Sequence, residues 1–220
     1  MRRVNLFCGH YGSGKTNIAV NFALDLKKKG EDVVIADLDI VNPYFRTKDS
    51  QEELDAAGIH LISSEYAGSN VDLPALPSEI YSMVENKNRY AVMDIGGDDR
   101  GAYALGRLTP FILEEGNYDM FFVVNFLRPL TRTAAEAHEV FWEIQSVCGI
   151  PFTGIINNTN LGRLTTAQTV LDSVEETERL CSLTGLPLVM TTVHESLYEE
   201  LKGKVTAAFP MHLQKAATDL

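Results

Sequence analysis

The stretch CGHYGSGKTN limits what this chain can fold into more than any other part of the sequence. Gly9, Gly14, Lys15 and Thr16 fit the phosphate-binding pattern G-x-x-x-x-G-K-[ST]. A short apolar run, Val4–Cys8, comes directly before the pattern, and a segment with helical spacing of apolar residues follows it. The sequence therefore predicts a strand, a phosphate-binding loop and a helix in direct succession.

A glycine-rich loop binds phosphate because its backbone N–H groups can turn inward and act as donors to the oxygens. The helix that follows adds the positive end of its dipole. We expect Lys15 to reach the β- and γ-phosphates and the Thr16 hydroxyl to ligate Mg²⁺. The residues predicted to contact nucleotide in this loop are Gly9, His10, Tyr11, Gly12, Ser13, Gly14, Lys15, Thr16 and Asn17.

Apolar strand-like runs alternate with helical patterns along the rest of the chain. Three of these runs have the composition of buried parallel strands: DVVIAD (residues 32–37), a short run at His60–Ser63 and DMFFVVN (residues 119–125). The same signals occur in two later segments, CGIPFTGIINN and TGLPLVMTTV. In each, a glycine ends a helix, a proline prevents the helix from continuing, and a strand begins. We predict an α/β fold with a mainly parallel sheet of about seven strands, helices on both faces and a single domain over residues 1–220.

The C-terminal stretch AAFPMHLQKAATDL is short and mixed in composition. We expect it to form a packing helix or a frayed tail, since it lacks the pattern of a membrane-targeting helix.

Composition argues against nucleic acid and membranes as partners. The formal net charge is -11 and the longest run of basic residues is Lys27-Lys28-Lys29. No apolar run approaches the roughly 20 residues of a membrane-spanning helix. The 3 cysteines are far apart and form no metal-binding pair. We expect a cytoplasmic protein.

Acidic residues follow two of the predicted strands, where open α/β sheets bind their ligands. Asp37 and Asp39 close the second strand, and Asp94 closes the strand that begins at Tyr90. Asp94 is placed to hold Mg²⁺ through water. Gly97 completes a D-x-x-G pattern whose glycine N–H can contact a γ-phosphate.

These motifs together resemble the MinD/ParA-type branch of P-loop ATPases, the CobQ/CobB/MinD/ParA superfamily. HYGSGKT is similar to the K-G-G-x-G-K-T loop of that branch, and ADLDIVNP resembles its switch I segment. MDIGGDDRG resembles its Walker B and switch II segments, and GIINNTN resembles its base-reading strand end. The resemblance implies the three-layer sandwich of P-loop NTPases, with ATP and Mg²⁺ as cofactors.

The resemblance also implies roles for individual residues. Asp37 would support the magnesium shell together with Thr16 and Asp94, and Asp39 would position the attacking water, so that Lys15 and Asp39 are the catalytic pair. Asn158 would read the adenine base. A guanine reader of the N-K-x-D type would need an aspartate after Asn158, and none follows, so the sequence favours ATP over GTP.

The sequence departs from this branch at His10, where the branch carries its signature lysine. Histidine is shorter and mostly neutral at cytosolic pH, so we do not expect a lysine-clamped sandwich dimer, although another homodimer is compatible with the sequence. We expect His10 to orient the mouth of the loop and Tyr11 to cover the phosphates. The alternative is that both side chains only fill space beside switch I.

Two enzymatic classes fit these features, and a third interpretation is a nucleotide-binding module with negligible turnover. The first is a regulatory or assembly ATPase that acts on a protein partner through switch I, from Ile40 to Lys48, where Tyr44, Phe45 and Arg46 are typical hot-spot residues. The second is an ATP-dependent small-molecule kinase or ligase of the CobB/dethiobiotin-synthetase type. Its acceptor pocket would be lined by the irregular residues 64–77.

Overall fold

The apolar runs form strands of one parallel sheet, in a computed structural model that describes residues 1–39, 47–63, 77–97 and 99–214. The strands are β1 (Val4–Cys8), β2 (Val33–Leu38), β3 (His60–Ser63), β4 (Tyr90–Ile95), β5 (Tyr118–Val124), β6 (Gly154–Asn157), β7 (Leu188–His194) and β8 (Ala208–Met211). Among the described residues the sheet has 8 strands in the order β3-β2-β4-β1-β5-β6-β7-β8. Every neighbouring pair is parallel.

Helices occupy the connections between successive strands. They are α1 (Lys15–Lys28), α2 (Gln51–Ala56), α3 (Ser82–Glu85), α4 (Asp99–Gly106), α5 (Thr109–Glu115), α6 (Ala134–Cys148), α7 (Ala167–Leu171), α8 (Val174–Thr184) and α9 (Tyr198–Leu201). No helix in the described part of the chain is long and apolar enough to cross a membrane.

Helices cover both faces of the sheet, which produces three layers. Successive side chains of a strand point to opposite faces, so Leu6 and Phe7 of β1 belong to different hydrophobic clusters. The cluster of Leu6 packs the sheet against α3, α4, α5, α6 and α8, and that of Phe7 packs it against α1 and α2. This arrangement is the predicted α/β sandwich.

The amino-terminal edge of the sheet is held by Arg3, which comes just before β1. Its guanidinium forms an ion pair with Glu115 in which both side chains are 8% exposed, with a distance of 2.5 Å from Nη2 to Oε2. Nη1 donates to the carbonyls of Met83 at 2.9 Å and Arg89 at 3.0 Å. These bonds join the starts of β1 and β4 to the end of α5, at the edge opposite the carboxyl ends of the strands.

The carboxyl ends of β1, β2 and β4 lie side by side at one edge because these strands are neighbours. Asp37 of β2 pairs in register with Asp94 of β4, and Asp94 pairs with Phe7 of β1. The predicted acidic residues therefore converge on the loop that follows β1.

The C-terminal expectation was wrong. Residues 208–211 form neither a packing helix nor a frayed tail but the edge strand β8, so the sheet has 8 strands where about seven were expected. Beyond β8, the His212 N–H and carbonyl both bond to the Asn21 side chain, and the Gln214 N–H donates to Asn17. This segment thus docks on α1, directly behind the phosphate-binding loop.

Candidate nucleotide site

The loop between β1 and α1 has the backbone that its glycines predict. Gly12 and Gly14 have φ angles of 76° and 88°, in the left-handed region that other residues rarely adopt. Gly14 is the N-cap residue of α1 and no side chain caps the helix. The first N–H groups of α1 are therefore left for a ligand at the positive end of the helix dipole.

Close packing also requires glycine at two further predicted positions. A Cβ on Gly9 would collide with the carbonyl oxygen of Val123, and a Cβ on Gly97 would collide with the carbonyl oxygen of Gly9. The segment after β4 therefore lies directly against the phosphate-binding loop. Gly97 is thus next to the loop, and its contact with a phosphate stays a prediction.

Lys15 and Asp39 form an ion pair beneath the loop. Their Nζ and Oδ2 atoms are 3.9 Å apart, and the side chains are 5% and 9% exposed. The Asp39 N–H donates to Oδ1 of Asp37 at 3.0 Å, which fixes the turn at the end of β2. The structure thus brings the two predicted catalytic residues together, and their catalytic role stays a prediction.

Asp94 connects three segments of the chain through a single carboxylate oxygen. Oδ2 accepts hydrogen bonds from Thr16 at 2.6 Å and from Thr47 at 3.2 Å. Oδ1 is buried and has no hydrogen-bond partner among the described residues. The Ser13 hydroxyl is in the same condition. A buried oxygen without a hydrogen-bond partner costs stability. The two unpartnered oxygens are therefore evidence that a ligand binds at this site.

Burial dominates the electrostatics of Asp94. It raises the pKa of this carboxyl from 3.8 to about 6, against the attraction of Lys15 and with the repulsion of Asp39 adding to the rise. A nearby cation would lower the pKa again. The site therefore favours a cation beside Asp94 when the carboxyl is ionised.

The donor set fits Mg²⁺ bound jointly with phosphate. The described residues contain no group of three or more His, Cys, Asp or Glu that could hold a metal alone. Mg²⁺ usually takes one or two protein oxygens and completes its shell with water and substrate phosphates. Thr16 and Asp94 would hold it here, and Asp37, the neighbour of Asp94 in the sheet, would support them. The ion would neutralise phosphate charge.

A cavity of about 390 Å³ opens in front of the loop and extends toward the ends of β6, β7 and β8. It is lined by Tyr11, Gly12, Gly14, Lys15, Thr16, Asn17, Arg128, Asn158, Asn160, Gly162, Thr165, Val170, Thr192, Val193, His194, Met211 and Leu213. The lining combines the cations Lys15 and Arg128 and several polar residues with apolar side chains such as Val170, Val193 and Met211. Among the described residues, no Asp or Glu lines it.

Asn158 lies in this cavity wall but is already engaged within the protein. Its Nδ2 donates to the Ser13 carbonyl at 2.6 Å, and its Oδ1 accepts from the Thr192 hydroxyl at 2.5 Å. A Cβ on Gly14 would collide with the same Nδ2. Asn158 braces the phosphate-binding loop in this structure, and its contact with a base stays a prediction.

The remaining predicted residues are at or near the mouth of the loop. Tyr11 is 57% exposed at the cavity rim, and His10 is half-buried with Nδ1 3.1 Å from the Tyr11 carbonyl oxygen. His10 does not line the cavity. Asn17 lines it, although its Oδ1 also accepts from Gln214.

Two predicted segments lie largely outside the described residues. Residues 40–46, which include the proposed hot-spot side chains of switch I, are not among them. The same holds for residues 64–76, the proposed acceptor pocket.

Sequence reasoning missed two threonines that complete the site. Thr47 bonds to Asp94, and Thr192 bonds to Asn158 from a strand 34 residues away. Thr47 lies within the predicted switch I range but was not singled out there, and Thr192 belongs to no recognised motif. Each acts through a contact that only the folded sheet creates. The two threonines extend the candidate site beyond its motif residues.

Comparison with known proteins relates this architecture to signal recognition particle proteins. No protein-family profile and no curated protein matches the chain. The structure is similar to cell division protein FtsY of Thermotoga maritima, with a TM-score of 0.60 and 18% identity over 89% of this chain and 63% of that one. It is also similar to FtsY of Elizabethkingia anophelis in complex with GDP, with a TM-score of 0.52 and 14% identity over 89% and 58% of the two chains.

A third similar structure is the signal recognition particle 54 kDa protein of Aeropyrum pernix in complex with GDP. Its TM-score is 0.50, with 16% identity over 85% of this chain and 40% of that one. The present chain thus spans less than two thirds of each of these proteins. At such identities the likeness shows the fold alone, which is the α/β fold of P-loop NTPases. The comparisons do not support the narrower MinD/ParA assignment.

The raised pKa of Asp94 makes a prediction about the protein without ligands. A carboxyl that binds its proton more tightly when folded loses stability as pH rises, here between about pH 4 and pH 6. Asp94→Asn should therefore stabilise the free protein at pH 7 by up to about 3 kcal/mol, the equivalent of that pKa rise. Urea unfolding of both proteins across this pH range measures the difference.

The gain from Asp94→Asn should begin to shrink as pH falls below about 6 and should approach zero near pH 4. Asp55→Asn, on an exposed position of α2, serves as the control and should change stability little at any of these pH values. A variant that is less stable than the wild type at pH 7 would contradict the assignment of an uncompensated charge to Asp94.

Proposed function

We propose that this chain binds Mg-ATP in the cavity and hydrolyses it, as a switch of MinD/ParA-like type that acts on a protein partner. The observation that carries the proposal is the convergence of Lys15, Thr16 and Asp94 under a glycine loop whose helix N-terminus is uncapped. A phosphate chain would satisfy the free N–H groups, the lysine and the metal together. The P-loop fold supports nucleotide as the ligand.

The polar side chains that line the cavity suit adenine better than guanine. Guanine presents adjacent N–H donors, which nucleotide sites of the N-K-x-D type meet with a carboxylate. The described lining contains amides and hydroxyls, such as Asn160 and Thr165, but no carboxylate. Although two similar structures hold GDP, the lack of a carboxylate in the described lining favours ATP for the present chain.

Hydrolysis would proceed by in-line attack of water on the γ-phosphate, in which positioning and charge neutralisation supply the catalysis. Lys15 would leave Asp39 to contact the phosphates, since the 3.9 Å pair is loose enough to exchange for a charge-assisted hydrogen bond. The carboxylate of Asp39 would then accept a hydrogen bond from the attacking water and orient it.

A switch needs a contact that differs between nucleotide states, and Thr47 provides a candidate. This residue is fully buried immediately after residues 40–46, the greater part of the proposed partner-binding segment. Its hydroxyl shares Oδ2 of Asp94 with Thr16. A cation that draws on this carboxylate would alter the Thr47 bond, and through it the segment that faces the partner.

Replacing Lys15 by Ala tests the binding half of this proposal. The variant should bind Mg-ATP at least about 10- to 100-fold more weakly, because a charge-assisted contact to phosphate is worth about 1.5–3 kcal/mol. Calorimetry on the wild type, Lys15→Ala and Lys28→Ala compares a buried lysine with an exposed one on the same helix. Equal affinity of Lys15→Ala and Lys28→Ala would exclude the phosphate-binding role.

Replacing Asp39 by Asn separates hydrolysis from binding. The variant should bind Mg-ATP at least as well as the wild type, because Lys15 no longer has an anionic partner to leave. Its turnover should fall by about 100-fold or more, the usual loss when a group that positions or activates water is removed. Phosphate release under single-turnover conditions measures the rate. Loss of binding instead of turnover would place Asp39 in the magnesium shell.

A further inference from the structure

Arg128 brings a second cation to the cavity. It follows β5, and its Nε donates to the carbonyl oxygen of Gly12 in the phosphate-binding loop at 3.1 Å. The two residues are 116 positions apart, so the sheet topology and not the local sequence creates this contact. Arg128 lines the cavity together with Lys15 and Thr16.

The anchored nitrogen uses only one of the five donors of the guanidinium. The side chain is exposed, and within the described residues it makes no ion pair and no other side-chain hydrogen bond. The two terminal nitrogens therefore retain their donors for a ligand. A guanidinium offers those donors in a planar fork that matches phosphate oxygens.

The loop that carries Arg128 is fixed at both ends. The Arg128 N–H donates to the Asn125 carbonyl at 3.1 Å, and the Thr131 hydroxyl donates to the same carbonyl at 2.8 Å. The Asn125 side chain in turn donates to the Asn160 carbonyl at 3.1 Å. The arginine is thus held toward the cavity before any ligand binds, which lowers the ordering cost of a contact.

The charge balance of the cavity identifies the kind of group that Arg128 meets. The whole chain carries a net charge of -11, yet the described cavity wall contains Lys15 and Arg128 and no carboxylate. Lys15 is paired with Asp39 beneath the loop, whereas Arg128 has no anionic partner in the described cavity wall. A multiply charged anion that exchanges with Asp39 for Lys15 would therefore meet two cations. His10 does not line the cavity, so it does not supply the second charge.

We propose that Arg128 is a phosphate-contacting residue, which adds a second positive charge to the bound nucleotide from within the same chain. The inference rests on the proposed function, because the ligand is the same polyphosphate. Arg128 lies outside every recognised motif. Position 10 is histidine and not lysine, so a lysine there does not supply this second charge, and Arg128 supplies it instead.

Calorimetric titration of the full chain with Mg-ATP and Mg-ADP tests this role. Arg128→Ala should weaken both ligands by about 10- to 100-fold, as expected for a charged hydrogen bond. Arg128→Gln keeps a donor without the charge and should be nearly as weak. Arg132→Ala removes an exposed arginine outside the cavity wall and should stay within about twofold of the wild type.

Salt dependence distinguishes a direct phosphate contact from support of the loop. The affinity of the wild type should fall more steeply with salt than that of Arg128→Ala, because the variant lacks one screened charge contact. Equal affinities of Arg128→Ala and Arg132→Ala would overturn the inference, as would wild-type affinity in Arg128→Gln. If the wild type binds neither nucleotide, or Lys15→Ala binds as well as the wild type, the proposed function itself fails instead.

Discussion

The carboxylate of Asp94 is the interaction on which the rest of the site depends. It lies fully buried at the end of β4 and receives hydrogen bonds from the phosphate-binding loop and from the segment that follows residue 46. One of its oxygens has no partner among the described residues. The free protein therefore keeps an incompletely compensated charge where a cation bound with phosphate would relieve it. The charge of Asp94 thus lowers the stability of the free protein and raises its affinity for the cation.

The parallel sheet makes this arrangement possible because it gathers distant chain segments at one edge. Neighbouring positions in the sheet place β2, β4 and β1 side by side, with Asp37 in register with Asp94. On the other side of β1, the loops after β5 and β6 contribute Arg128 and Asn158 to the cavity. The carboxylates, with Lys15 paired to Asp39, lie on one side of the phosphate-binding loop, and Arg128 and Asn158 lie on the other. Such a division suits a ligand with a metal-bound phosphate end and an uncharged base.

Local signals were enough to predict the backbone of the phosphate-binding loop and most of the sheet. The strand at His60–Ser63 has the expected bounds, and the left-handed conformations of Gly12 and Gly14 follow from the loop pattern. The edge strand β8 was missed because it is only 4 residues long and contains Pro210, which cannot donate to a neighbouring strand. Pairing with β7 stabilises it, and this long-range contact leaves no periodic signal. The hydrogen bond between Thr192 and Asn158 is also a long-range contact, so no local pattern in the sequence could predict it.

The central claim is that the cavity takes ATP together with Mg²⁺. Calorimetric titration of the wild-type chain with ATP and with GTP, each with Mg²⁺ and with excess chelator, tests it most directly. Mg-ATP should bind, its affinity should fall by at least about tenfold, or 1.4 kcal/mol, when Mg²⁺ is removed, and Mg-GTP should bind more weakly than Mg-ATP. Binding of ATP that is indifferent to Mg²⁺, tighter binding of GTP, or no binding of either nucleotide would contradict the claim.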